Sequence, residues 1–234
     1  MGFPLYNGST LLDFAGATQI FSFGAGFECV WLSHDLKPVS TTENVQVTPS
    51  RTFDDPGHID IVFVPGGGAK GVKWAMFDEG YQKFLTDAAK TADWVGCVCT
   101  GAFILAASGL LDGCQATTYW SQRENLSLLT PTRHITVPAG YPRFVIDYRN
   151  RRFTGGGVSS SIDLALELVT VIGGLDRARF SQLSNQYAPD PNVNSGDPSQ
   201  APPVITEQEL ENQIGFIAAM REAVEKLLSH SNPS

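Results

Sequence analysis

Short, uninterrupted apolar runs alternate along this chain with stretches of helical spacing, and the alternation predicts a parallel sheet covered by helices. From His58 to Gly71, HIDIVFVPGGGAKG closes a β-branched run with Pro and Gly, the pattern of a buried strand leaving its sheet in a loop. WVGCVCTGAFILAASGLL, Trp94 to Leu111, predicts a second buried strand over Trp94 to Val98, a turn, and a helix beginning near Gly101. Between them YQKFLTDAAKTA, Tyr81 to Ala92, has helical spacing. Strand, helix, strand, helix in this order predicts an α/β fold with a mostly parallel sheet and helices on both faces.

Further along, RFVIDYRNRRFTGGG predicts a hairpin with Tyr148 to Arg151 at its tip, and SSSIDLALELVTVIGG a helix with a Gly-Gly stop. A following helix is expected over Asp176 to Tyr187. The Pro/Asn/Ser/Gly stretch from Ala188 to Pro203 is expected to be neither helix nor strand. Beyond it, TEQELENQIGFIAAMREAVEKLL predicts one helix, with Thr206 and Glu209 at capping-box spacing. The organisation expected is a catalytic domain over 1–203 and a helical extension over 204–234, docked on the core or on a second subunit.

The 234 residues fit one domain with a tail better than two domains, and 42% hydrophobic residues supply a large core. A net charge of −8, with no basic cluster beyond Arg149, Arg151 and Arg152, gives no footprint for a phosphate backbone, so nucleic acid is not an expected partner. The opening MGFPLYNGST has no basic, then apolar, leader pattern, and no run of about 18 apolar residues occurs. A soluble, cytoplasmic protein with no membrane partner is expected. The four cysteines, Cys29, Cys97, Cys99 and Cys114, lie in core-like segments and read as free thiols.

Cys99 carries the most chemistry, because a strand running through Cys-Thr-Gly into a helix places its side chain on a tight turn at a helix start. There the helix dipole and unsatisfied N–H groups are expected to lower the thiol pKa from about 8.5, and the same donors can hold developing negative charge. The alternative is a buried small hydrophobe, as Cys97 two residues earlier is expected to be. The turn PGGG, Pro65 to Gly68, should reach the same carboxyl edge of the sheet and lend further N–H donors, or be turn chemistry alone. Asp13, in STLLDFAGATQIF, is either an N-cap or a proton carrier facing the thiol. His34, His58, His134 and His230 are scattered without ligand spacing, so no metal site is expected.

LLDFAGA, VPGGG, VCTGAFILAASGLLDG, ATTYW and FTGGGVSSSIDLAL, in this order, resemble the ThiJ/PfpI superfamily of class I glutaminase-like α/β proteins. The resemblance covers about residues 2 to 200 and implies a flavodoxin-like sandwich. Cys-Thr-Gly together with LD-x-x-G and the tail QYAPDPNVNSGDP is similar to the isocyanide (isonitrile) hydratases in particular. Those enzymes add water to R–N≡C to give an N-substituted formamide, as homodimers and without a cofactor. The resemblance implies Cys99 as the nucleophile that forms a thioimidate, and Asp13 as its proton partner. It implies backbone amides of Thr100 and Gly67 stabilising charge, with the Thr100 hydroxyl holding Asp13 or a water. Tyr119, Trp120 and Val158 are expected to line the substrate pocket.

Two departures from the family pattern stand out. Tyr119 occupies the position where many relatives carry His in ATTHW, and the first strand is short and contains Pro4, so it is expected to be a frayed edge or to lack upstream residues. No His follows the nucleophile and no His-x-Glu pair occurs near the end, which argues against peptidase and glutaminase chemistry. The competing functions are a glyoxalase-like or deglycase-like hydrolase, for which Asp13 in place of Glu is a mild counter-argument, and a redox- or ligand-sensing domain without turnover.

Overall fold

The computed structural model describes residues 1–231. The chain runs through β1 (Gly2–Pro4), α1 (Leu11–Ser22), β2 (Val30–Ser33), β3 (Val39–Ser40), β4 (Gln46–Val47), β5 (Arg51–Thr52) and β6 (Ile61–Val64). It continues with α2 (Ala69–Phe77), α3 (Glu79–Ala88), β7 (Trp94–Val98) and α4 (Gly101–Ala107). After a single 3-10 turn at Trp120–Gln122 come α5 (Arg123–Ser127), α6 (Thr130–Arg133), β8 (Phe144–Asp147), β9 (Arg152–Gly155), α7 (Ser160–Gly173) and α8 (Leu175–Ser184). Two final helices, α9 (Pro203–Asn212) and α10 (Ile214–Ser231), complete it.

Seven strands form one sheet in the order β5-β2-β1-β6-β7-β9-β8, parallel except for β8. This is the flavodoxin-like α/β architecture, with helices on both faces. Residue alternation sorts the two cores. Val62, Val64, Val95 and Cys97 point into one core with α2, α3 and α4, while Ile61, Phe63, Val98 and Phe153 point into the other with α1 and α7. Gly96 is required where β7 meets β9, because a Cβ there would lie 2.2 Å from both the Phe153 ring and its carbonyl oxygen.

Four expectations are corrected. β1 is no edge strand: its three residues are buried between β2 and β6, and Pro4 takes the last position, where a missing N–H interrupts no further ladder. The helix expected from Tyr81 begins at Glu79, where the Asp78 carboxylate accepts from Tyr81 N at 2.8 Å, and it ends at Ala88. A separate helix, α2, precedes it; the glycines on either side of Ala69 and Lys70 conceal its start. The single C-terminal helix is two, divided at Gln213, and Thr206 lies inside α9 rather than at its cap.

Helix α10 contributes Met220, Ala223, Val224 and Leu227 to the core shared by α2, α3 and α4. At about 1.5–3 kcal/mol for each large apolar side chain fully buried, this is a substantial attachment. Lys226 also sits 4.3 Å from the Phe77 ring centre, and Lys73 pairs with Glu222. The His230 side chain lies outside the described residues. Among the described residues no helix is long and apolar enough to cross a membrane.

Candidate active site at the end of β7

A regular strand would carry residue 99 to the same face as Val95 and Cys97. Instead Cys99 adopts φ 56°, a left-handed backbone that is strained for a residue with a Cβ and is a hallmark of sharp strand-to-helix turns that display a nucleophile. Its side chain is thereby turned to the opposite face, into the cluster with Val98 and Phe14. The turn is held at both peptide groups: Cys99 N donates to Gly155 O at 3.1 Å, and Thr118 Oγ1 donates to Cys99 O at 2.8 Å. Cys99 keeps 6% exposure while Cys97 has none.

Asp13 arrives from α1, on the same face. It is not the N-cap, a position taken by Thr10, but lies three residues on in the first turn and is fully buried. Its Oδ2 accepts from Gly66 N at 2.7 Å, whereas Oδ1 is buried with no hydrogen-bond partner. Burial, with a minor contribution from Glu43, raises the Asp13 pKa to about 8 against the pull of the Gly66 N–H. At neutral pH the carboxyl is therefore mostly protonated.

The thiol departs from the sequence expectation. Burial first, and the Asp13 carboxylate second, push the Cys99 pKa well above its usual value, outweighing the Thr100 backbone and side-chain donors that lower it. Helix α4 has only seven residues and its dipole does not overcome the loss of water. Thiol and carboxyl are thus both neutral at neutral pH.

The PGGG turn does reach this edge, but its amides are already engaged. Gly66 N serves Asp13, Gly67 N donates to Thr100 Oγ1 at 2.9 Å, and Gly68 N donates to Gly8 O at 3.0 Å. Thr100 Oγ1 also donates to Gly67 O at 3.0 Å, so its hydroxyl clasps the loop and does not hold Asp13. The amide left facing the sulfur is that of Thr100. A Cβ on Gly66 would come within 2.8 Å of the Cys99 Cβ and 2.7 Å of Thr100 N, which is why only glycine lets the loop approach so closely.

Of the residues expected here, Cys99, Asp13, Thr100 and Gly67 are brought together. Tyr119 is half-buried in the same apolar cluster as Cys99, with its ring against Gly157 and Trp120 tilted beside it at 6.0 Å. Val158 is half-buried in the turn entering α7. Sequence reasoning missed three residues. Tyr6 is fully buried and anchors the loop by donating to Pro65 O at 3.2 Å, Thr118 holds the Cys99 turn, and Gln213 reaches Tyr119 from the α9–α10 junction. Nothing local marks them, except that Thr118 belongs to the ATTYW segment. His34 and His58 pair with Asp78 and Asp60 away from the thiol, and His134 ends α6.

An open α/β sheet, covered by helices on both faces, with a strained cysteine elbow at its carboxyl edge defines a class, and comparison with known proteins agrees: residues 3–171 match the DJ-1/PfpI family, and the chain belongs to it. It is 34% identical over 210 residues to the isonitrile hydratase of Pseudomonas putida, covering 89% of this chain and 87% of that one. It is also 31% identical over 175 residues to the HTH-type transcriptional regulator GbdR of Pseudomonas aeruginosa, spanning 72% of this chain but 45% of the regulator. Among solved structures, a ThiJ/PfpI family protein from Pseudomonas syringae superposes with a TM-score of 0.87 at 28% identity, covering 96% of this chain and 89% of that one.

Proposed function

We propose that this protein hydrates organic isocyanides to N-substituted formamides, with Cys99 as nucleophile and Asp13 as proton carrier. The observation that carries the reading is a fully buried Asp13 whose Oδ1 has no hydrogen-bond partner, close enough to the strained Cys99 to act on its thiol electrostatically. Isocyanide carbon needs both a proton and a nucleophile, and this pair supplies both without a stable charge in a dry site.

In the proposed sequence Asp13 gives its proton to the terminal carbon of R–N≡C as Cys99 Sγ bonds to that carbon, and the thiol proton passes to the carboxylate. The product is the thioimidate R–N=CH–S–Cys99. Asp13, re-protonated by the thiol, passes that proton to the nitrogen and takes one from the water whose oxygen adds to the carbon, giving R–NH–CH(OH)–S–Cys99. Cleavage of the C–S bond releases R–NH–CHO and returns the thiol. The Thr100 N–H faces the sulfur where charge develops, and the Gly67–Thr100 clasp keeps that amide in place. Tyr119, Trp120 and Val158 shape the pocket for the R group. No cofactor is needed for this chemistry.

The chain is proposed to work in the cytoplasm as a homodimer; exposed Phe180 and Leu183 on α8 support a second copy covering that face. Incubation with p-nitrophenyl isocyanide, followed by absorbance, tests the activity. Turnover by the wild type, lost in Cys99→Ala and Asp13→Ala proteins that remain folded, is the expected result. An inactive wild type whose Cys99 still reacts with a thiol reagent would sink it, and a ligand-sensing role like that of a regulator's domain would replace it.

A further inference from the structure

Gln213 lies beyond the residues that match the family, in the hinge between α9 and α10, yet two of its three hydrogen bonds tie it to the segment that carries Tyr119. Its Oε1 accepts from Ser121 Oγ at 2.5 Å, and its Nε2 donates to Tyr119 Oη at 3.0 Å and to Glu209 Oε1. Every polar atom of the amide is occupied, so its orientation is fixed. The anchoring is reinforced one turn on, where Asn125 Nδ2 donates to Ile217 O at 3.0 Å.

The orientation decides what Tyr119 can do. A phenol has one proton to donate, and an amide N–H can only donate; with Gln213 Nε2 against the oxygen, the Tyr119 proton must point elsewhere. The ring packs against the apolar cluster that contains Cys99, close enough for charge on Cys99 to act on the phenol, so a molecule held at the thiol lies within reach of the Tyr119 side chain. We infer that Gln213 is a positioning residue that turns Tyr119 into a hydrogen-bond donor toward the substrate, so that the C-terminal helices set the specificity of the Cys99 site. The group so recognised is a lone-pair acceptor on the atom next to the reacting carbon, which in an isocyanide-derived thioimidate is the nitrogen. Burial keeps the phenol protonated by raising its pKa, with the negative charge of a Cys99 thiolate adding to the effect, while the Gln213 amide and Trp120 lower it. An imidazole at this position would be a different donor with a different reach, so the Tyr119–Gln213 pair works as a unit. The inference rests on the reading of Cys99 as the reacting group.

Two measurements test it. The first is kcat/KM for aryl isocyanides in Tyr119→Phe, Gln213→Met and the double variant. Each single change is expected to cost about three- to tenfold, the worth of one neutral hydrogen bond, and the double change no more than Tyr119→Phe alone. Losses that multiply, or a Tyr119→Phe enzyme equal to wild type, overturn the inference. The second needs no turnover and so separates a failure here from a failure of the hydratase reading. In protein carrying 13Cζ-tyrosine, with the Tyr119 resonance assigned by Tyr119→Phe, Gln213→Met should move the Tyr119 titration to higher pH, because it removes an N–H that favours the phenolate. If Gln213→Met does not fold, Ser121→Ala loosens the same amide and should give a smaller shift in the same direction. An unmoved resonance in the folded variant refutes the positioning role even if wild type hydrates isocyanides.

Discussion

Replacing Asp13 by Asn keeps an oxygen for the Gly66 N–H but removes the titration, and it should change how stability depends on pH. In the native protein the Asp13 pKa is raised from 3.8 to about 8, chiefly by burial, whereas the unfolded chain titrates near the ordinary value. Between these values the folded state holds a proton that the unfolded state has lost, so stability falls as pH rises through the window. Each pH unit removes about 1.4 kcal/mol, so the whole window amounts to something on the order of 5 kcal/mol. Below pH 4 both states are protonated, and above pH 8 both are ionised, so the slope vanishes at either end. The Cys99 thiol, raised well above its usual range, does not titrate in between. Urea unfolding of wild type and Asp13→Asn at pH 5, 6, 7, 8 and 9 reads the difference directly. The variant should gain steadily on wild type from pH 5 to pH 8, by about 1.4 kcal/mol per unit, with constant m-values. A difference that stays flat, or one in which wild type gains with rising pH, would mean that the folded protein holds an ordinary carboxylate, and the proposed proton carrier would fail with it.

Other predictions follow from the same contacts. If the protonated Asp13 delivers the first proton, kcat/KM should fall about tenfold per unit above pH 8, and a profile flat from pH 7 to 10 contradicts that role. Gly66→Ala drives a methyl into Thr100 N and the Cys99 Cβ, and should lower the melting temperature by an amount equivalent to about 1–3 kcal/mol and abolish turnover. Thr100→Val leaves both polar atoms of the Gly67 peptide without their partner, with an expected cost of about 1–3 kcal/mol in denaturant unfolding. Met220→Ala, in the fully buried face of α10, should cost about 2–5 kcal/mol in the same assay; a cost near zero would mean that α10 is not attached as described.

The periodic segments were legible from the chain itself. β6, β7, the β8–β9 hairpin and α7 each carry enough residues of one period, with Gly or Pro at the boundary, to declare themselves locally. The Cys-Thr-Gly turn was equally plain, because a strand that meets a helix within two residues has few backbone solutions. β1 has three residues, too few to show a period or to reveal that it lies at the middle of the sheet, since neighbour order is set by partners far along the chain. The state of the thiol also lay out of reach. A helix start argues for a lowered pKa, but the sign is decided by how much water is removed and by a carboxyl 86 positions earlier, on another element. Gln213 is the clearest case: nothing around it in sequence signals a role, and it meets Tyr119 only because α10 is pinned to the core by buried apolar residues from Met220 to Leu227. Local pattern fixes which backbone states are cheap; the burial and partners of single polar groups are non-local sums, and in this protein those sums determine where the protons sit.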